Sequence, residues 1–248
     1  MVIDFHAHLG RGAVGATDRL QRDLTAEMIV GPAREAGIGR TVVFPVTYEA
    51  GRYREANEGI AAAVGRYPDE LIGFARTVVG AQAEADLEHA VRTLGLHGLK
   101  LHHGCDGFDP AGPATRRIVG LAGELGVPVI FHSIGIVEVL GELAAACPQT
   151  PIVLGHMGGL WDWQAAERAT DLAEGLHNVW LETSALLVTF AIEEAAARVG
   201  GKVLFGSDAP AIHPAVELAK ITTARMTDDT RAAVLGGNAA RLLGLGGP

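Results

Sequence analysis

The chain has 248 residues, 48% of them hydrophobic and 20% charged, with a formal net charge of −9. That apolar content excludes a disordered chain, and the length fits one large domain or two modest ones. Lysine occurs only at 100, 202 and 220 and the arginines are scattered, so nucleic acid finds no basic track. No apolar stretch approaches the roughly 20 residues that cross a bilayer; the longest candidate runs only from Ser184 to Ile192. No basic leader precedes the first strand-like run, and Cys105 and Cys147 make no disulfide framework, so the cytoplasm is the expected compartment.

In chain order, eight short apolar runs read as strands: Val2–Phe5, Thr41–Phe44, Leu71–Phe74, Gly98–Leu101, Val127–Phe131, Pro151–Leu154, Val179–Leu181 and Lys202–Phe205. Their nearly unbroken apolar character suits strands covered on both faces, as in a parallel sheet. Helix-like segments separate them. Asp109 and Pro110 are expected to open one such helix, with Ile118, Leu121, Ala122 and Leu125 as its buried stripe. Gly37, Gly95, Gly126, Gly175 and Gly200 are expected to end helices in the left-handed conformation. Eight strand–helix units over this length predict a (β/α)8 TIM barrel, with residues 1–248 as a single domain. An open doubly wound sheet is the alternative.

The functional argument lies at the strand ends, because α/β barrels carry their sites where strands pass into βα loops. The residues there are His6 and His8, Thr47, Arg76, Lys100 with His102, His132, His156, Glu182 with Thr183, and Asp208. His6 and His8 are two apart, so both face one side of their strand and can grip one ion. His132 and His156 each end an apolar strand, as a core residue would or as a ligand would. Asp208 could cap the following helix. Lys100 within an apolar strand must neutralise, pair or be modified. It is a carboxylated bridge between two ions, the partner of a carboxylate such as Asp208, or a contact for an anionic substrate. His102 shares the face of Lys100 and is expected toward substrate; His103 is not.

Together, His6-Ala7-His8, Gly98-Leu99-Lys100-Leu101-His102, Phe131-His132, Gly155-His156-Met157-Gly158-Gly159 and Gly206-Ser207-Asp208-Ala209-Pro210 resemble the amidohydrolase superfamily. The branch is the amidohydrolase 2 group, similar to aminocarboxymuconate semialdehyde decarboxylase relatives. Residues 57–68 and 237–243 match the group's helix before the third strand and its closing helix. The resemblance implies a divalent ion held by His6, His8, His132 and Asp208, with His156 beside it or ligating a second ion. Zn2+ is expected, Mn2+ is possible, and Lys100 stands where binuclear members bridge their two ions, so one ion or two are open.

Weaker signals are set beside these. Residues 10–15 match G-x-G-x-x-G, but the second strand ends Phe44-Pro45-Val46-Thr47 without the acidic residue a dinucleotide site needs. Cys105 is a free thiol. His89, His97 and His177 carry no assigned chemistry, and His213 either touches substrate or caps a helix. Trp161 is the candidate aromatic for substrate binding, with Trp163, Phe108, Tyr48 and Arg11 as further pocket candidates. Arg76 could take a substrate carboxylate in bidentate fashion.

The expected reaction is hydrolysis of an amide, lactone or ester-like bond in a small, anionic substrate. Asp208 takes the proton from a metal-activated water, while His156 and Lys100 steady the oxyanion. The alternative is metal-dependent decarboxylation at the same site, for which Arg76, Arg52 and Arg54 could hold a carboxylate. A non-catalytic ligand-binding barrel is the third reading. A PHP-type phosphoesterase or TatD-like nuclease also begins with His-x-His, but TatD-like enzymes have Glu where this chain has Lys100. The expected partner is a small molecule, with neither nucleic acid nor membrane, and a homodimer is possible.

Overall fold

A computed structural model describes residues 1–12, 22–46 and 52–245. The first strand, β1 (Ile3–Gly12), is extended at its far end by an antiparallel partner, β2 (Arg22–Leu24). Along its other edge β1 pairs in parallel with β3 (Arg40–Pro45), which pairs with β4 (Leu71–Gly73). The run expected at Leu71–Phe74 continues past Phe74 into β5 (Ala75–Arg76) and changes partner there. Phe74 N donates to Val43 O at 2.9 Å, whereas Ala75 N donates to Gly98 O at 2.8 Å. Parallel pairing then runs from β5 through β6 (Leu99–Leu101), β7 (Val129–His132), β8 (Ile152–Gly155) and β9 (Val179–Glu182) to β10 (Val203–Leu204).

Closure comes at the seam between the end of β10 and β1. Phe5 N donates to Phe205 O at 2.8 Å, Asp208 N to His6 O at 2.8 Å, and His8 N to Ala209 O at 2.7 Å. All eight expected runs are thus staves of one (β/α)8 TIM barrel, and the open-sheet alternative is excluded. Asp4 latches the same seam: its carboxylate accepts Ser207 N at 2.9 Å, Ser207 Oγ at 2.5 Å and His6 N at 3.1 Å.

The alternation of strand side chains divides the core in two. Ile3, Phe5, Val42, Phe44, Ile72, Phe74, Ile130, Val153 and Leu204 fill the barrel interior. Their neighbours, such as Val43, Leu99, Leu101, Phe131, Leu154 and Leu181, face outward beneath the helices. Both faces are dry, which is why the strands read as continuous apolar runs. Gly98 makes room for the interior, since a Cβ there would collide with the Phe74 ring.

The helical layer comprises α1 (Ala26–Glu35), α2 (Tyr53–Arg66), α3 (Ala83–Arg92), α4 (His103–Asp106), α5 (Pro113–Glu124) and α6 (Val137–Ala146). It continues with α7 (Trp163–Gly175), α8 (Thr189–Val199), α9 (Pro214–Thr223), α10 (Asp228–Ala232) and α11 (Asn238–Leu242). Two expectations are corrected. The helix expected at Asp109-Pro110 begins instead at Pro113, because Asp109 folds its own turn by accepting Ala111 N at 2.9 Å. Gly37, Gly95 and Gly126 do turn left-handed, with φ of 75°, 69° and 72°. Gly175 is the last residue of α7 without a positive φ, and Gly200 keeps a helical φ of −52° because a short 3-10 turn follows it. Among the described residues no helix is long and apolar enough to cross a membrane.

Candidate metal centre

The site starts from an irregularity in β1. Its register to β3 passes from Asp4 opposite Thr41 to Ala7 opposite Val43, so one extra residue is accommodated between them. Such a bulge breaks strict alternation. Phe5 therefore packs in the interior, yet His6 and His8 also face inward, their rings 5.0 and 4.9 Å from that of Phe44. Across the seam Asp208 arrives with a left-handed φ of 59°, rare for a residue with a side chain. His8 Nε2 lies 3.0 Å from Asp208 Oδ1, and His6 Nε2 lies 3.4 Å from the same oxygen.

A second set of contacts fixes these rings from behind. Glu182, at the end of β9, accepts His6 Nδ1 at 2.7 Å, Ser184 N at 2.5 Å and Ser184 Oγ at 2.9 Å. With Nδ1 donating to Glu182, the His6 lone pair is on Nε2, facing His8 and Asp208. His156 Nδ1 lies 3.0 Å from Ser184 O; a carbonyl only accepts, so Nδ1 carries the proton. Gly206 permits this packing, because a Cβ there would press into the Glu182 carboxylate and lie 3.0 Å from His6 Cβ. Strain gathers here: His156, Met157 and Ala185 have φ of 61°, 49° and 55°.

Burial sets the charges. It pushes His6 well below the ordinary imidazole value, with Lys100 adding to the effect. His8 is lowered by burial and only partly restored by Asp208. His132 is driven far down by burial and the neighbouring His156, and His102 falls to about 2 through burial, Lys100 and Arg76. Burial alone would raise Asp208, but its bond to His8 and the flanking His6 hold it well below the usual carboxylate range. Burial raises Glu182. Lys100 is lowered to about 8 by burial, against the pull of Asp208.

These residues fit a divalent ion. His6 Nε2, His8 Nε2 and Asp208 Oδ1 converge, with neutral imidazoles and an ionised carboxylate, the forms that ligate. A second group, His6, His156 and Glu182, also brings its donor atoms within 4.8 Å of one another. It is fully buried, and Ser184 already occupies its donors.

The remaining expected site residues are placed as follows. His132 belongs to neither group; its ring is 4.9 Å from that of His156 and stacks on His102 at 3.9 Å. Lys100 lies in the inner wall with Nζ 3.4 Å from His6 Nε2 and 4.8 Å from the Phe44 ring centre. Among the described residues no carboxylate oxygen lies within 4.0 Å of it, so the direct pair with Asp208 does not form. Arg76, opposite Lys100 in the sheet, is fully buried, and its fork meets Asp106 at 3.0–3.2 Å. That carboxylate, also bound by Tyr53 at 2.6 Å, occupies the place expected for a substrate's.

Trp161 is 73% exposed and borders a groove of about 390 Å³ with Ile134, Gly159 and Arg168, outside the histidine cluster. Phe108 packs against the outer core, Arg52 pairs with Glu55, and Arg54 pairs with Asp86. Nδ1 of His213 caps α9, accepting Ala215 N at 3.3 Å. Thr47, Tyr48 and residues 13–15 of the glycine-rich loop lie outside the described residues.

Sequence reasoning placed Glu182 at a strand end without giving it a role, and it missed Ser184. A carboxylate ending an apolar strand was the available signal for the first. The serine had none, because its importance comes from His6 and His156, 178 and 28 residues away in the chain.

Among solved structures the chain is similar to 2,6-dihydroxybenzoate decarboxylase from Rhizobium, at 18% identity, TM-score 0.76 and 99% coverage of both chains. A dihydroxybenzoic acid decarboxylase from Polaromonas sp. JS666, with bound manganese and the inhibitor 2-nitroresorcinol, is 17% identical with a TM-score of 0.75, covering 98% of this chain and 97% of that one. A probable 2-pyrone-4,6-dicarboxylic acid hydrolase from Acinetobacter baumannii, with citric acid bound, is 17% identical with a TM-score of 0.74, covering 98% and 99%. At these identities the likeness shows the shared barrel. No curated protein matches the chain in sequence. A family model described as amidohydrolase matches residues 3–245, nearly the whole length, and the chain belongs to the amidohydrolase family.

Proposed function

We propose that this enzyme is a metal-dependent carbon–carbon lyase that removes carbon dioxide from a small ring-bearing carboxylic acid. The observation that carries the reading is the buried cation Lys100, 3.4 Å from His6 Nε2 and beside the His6, His8 and Asp208 donors. An interior ammonium without a close carboxylate is a receiver for an anion. The similar barrels named as dihydroxybenzoate decarboxylases support this choice of reaction, and the bound manganese of one supports Mn2+ beside the expected Zn2+.

When bound, the ion supplies positive charge that orients the substrate and stabilises the negative charge left as the bond to carbon dioxide breaks. His6, His8 and Asp208 would hold it, with His132, at the end of β7 across the barrel, as a further donor. Lys100 draws the substrate carboxylate inward. Asp208, ionised at rest, accepts a proton at its carboxylate. His156 has its protonated Nδ1 fixed by Ser184, so in the neutral ring Nε2, without a partner among the described residues, offers a lone pair that can take up a proton from water and then release it to the substrate carbon.

Hydrolysis of a small anionic lactone or ester is the second reading. It is favoured by the ionised state of Asp208, the form needed to take a proton from water, and by the similar barrel named as a pyrone hydrolase. Carbon dioxide release from hydroxybenzoates and ring opening of lactones, measured on manganese- and zinc-loaded protein, separate the two. Release of carbon dioxide that Asp208→Asn abolishes, with substrate affinity largely kept, supports the lyase. Ring opening without carbon dioxide overturns it.

A further inference from the structure

The loop after β9 carries Ser184, and its shape is imposed from an element that contributes no donor to the metal centre. Glu217 in the first turn of α9 is 1% exposed. Its Oε2 accepts Ala185 N at 3.1 Å and pairs with Lys220 Nζ at 2.5 Å. That ammonium in turn donates to Thr183 O at 3.2 Å and Leu186 O at 2.8 Å. One ion pair therefore holds both sides of the turn 183–186 by three backbone bonds. Ala185, at its centre, has the left-handed φ of 55° that an alanine does not adopt by itself.

The gripped turn matters because of what Ser184 touches. Its hydroxyl lies 3.2 Å from His6 Nδ1, 3.0 Å from His156 Nδ1 and 2.9 Å from Glu182 Oε2. Its carbonyl receives His156 Nδ1, so the backbone of this one residue selects the tautomer of His156. Were Ala185 to relax to a negative φ, the adjoining carbonyl of Ser184 would turn with it, since the two share one peptide plane.

We propose that Glu217 and Lys220 are positioning residues: their largely buried ion pair locks the strained 183–186 turn so that Ser184 fixes the ring tautomer of His156 and holds Glu182 against His6 Nδ1. The assignment does not depend on whether the reaction is decarboxylation or hydrolysis.

The test uses the intact chain without substrate. Long-range proton–nitrogen NMR of the histidine rings in metal-free protein reads the tautomers, and titration with Mn2+ alone reads the affinity of the centre. Measured above the ordinary imidazole range, the wild-type rings of His6 and His156 should each show one protonated and one unprotonated nitrogen. In Lys220→Met, the two nitrogen shifts of His156 should move toward each other as the tautomers mix. Mn2+ binding should weaken about 10-fold, the lower end for supports of metal ligands. Glu217→Gln keeps an acceptor for Ala185 N and loses only the charge, so its effect should lie between wild type and Lys220→Met. It also carries the test if Lys220→Met fails to fold. Folded variants whose ring signals and Mn2+ affinity match the wild type would overturn the assignment, whatever the enzyme's substrate proves to be.

Discussion

Replacing Gly206 with alanine tests the packing behind the candidate metal centre most directly. The new Cβ would lie 2.7 Å from Glu182 Cδ and 3.0 Å from His6 Cβ, both in fully buried residues that cannot swing into solvent. Holding the geometry forces overpacking worth about 1–3 kcal/mol. Relieving it by moving Glu182 off His6 Nδ1 forfeits a charge-assisted bond of about 1.5–3 kcal/mol. The two routes cost about the same, so stability should fall by about 2 kcal/mol by either. In a chain of this size that lowers the melting temperature by about 4–8 °C. Only the second route also frees the His6 ring, and support-shell losses of that kind weaken metal binding about 10- to 100-fold. Gly120→Ala is the control. It lies within α5 with nothing within 4 Å of the added Cβ, and it should gain up to about 1 kcal/mol of helix stability. Thermal unfolding and Mn2+ titration of both variants read the outcome. A Gly206→Ala protein that melts and binds metal like the wild type would refute the proposed contact between Glu182 and His6.

Burial holds the Asp4 carboxyl at about 7 against an ordinary 3.8, so the folded chain binds a proton that the unfolded chain releases between those values. The stability this proton contributes is present below pH 3.8 and lost as pH rises to 7. Relative to Asp4→Asn, which does not titrate, wild type should therefore lose about 2–3 kcal/mol between pH 5 and pH 8 in urea unfolding. A pH-independent difference would contradict this. Asp106→Ala strips the buried Arg76 guanidinium of its carboxylate and should cost about 3–5 kcal/mol, seen as a lower denaturation midpoint. Chelation should lower the melting temperature of metal-loaded protein, and returning Mn2+ or Zn2+ at about 100 times the dissociation constant should restore about 2.7 kcal/mol. An unchanged melting temperature would count against metal binding at His6, His8 and Asp208.

How much of this was legible beforehand differs residue by residue. Every stave announces itself locally, since strands dry on both faces must be apolar throughout and their spacing leaves room for one helix each. His6, His8 and Asp208 are readable for the same reason: a polar side chain closing an apolar run is conspicuous. Turn chemistry was less so. Asp109 looked like a helix cap, yet it spends its side chain on Ala111 N, and the helix waits for Pro113.

Sequence by itself determined the barrel, the family and the rim at which the donors gather, because those follow from local pattern and from the order of strands. Only the tertiary structure decided which donors meet. The bulge in β1 turns His6 inward beside Phe5, and Asp106 claims the Arg76 fork from 30 residues away in the chain. Glu182 and Ser184 reach His6 across 176 and 178 residues. Such partnerships are set by which staves the closed cylinder makes neighbours and by where a Cβ is missing, as at Gly206, and neither quantity is a property of any short stretch of chain.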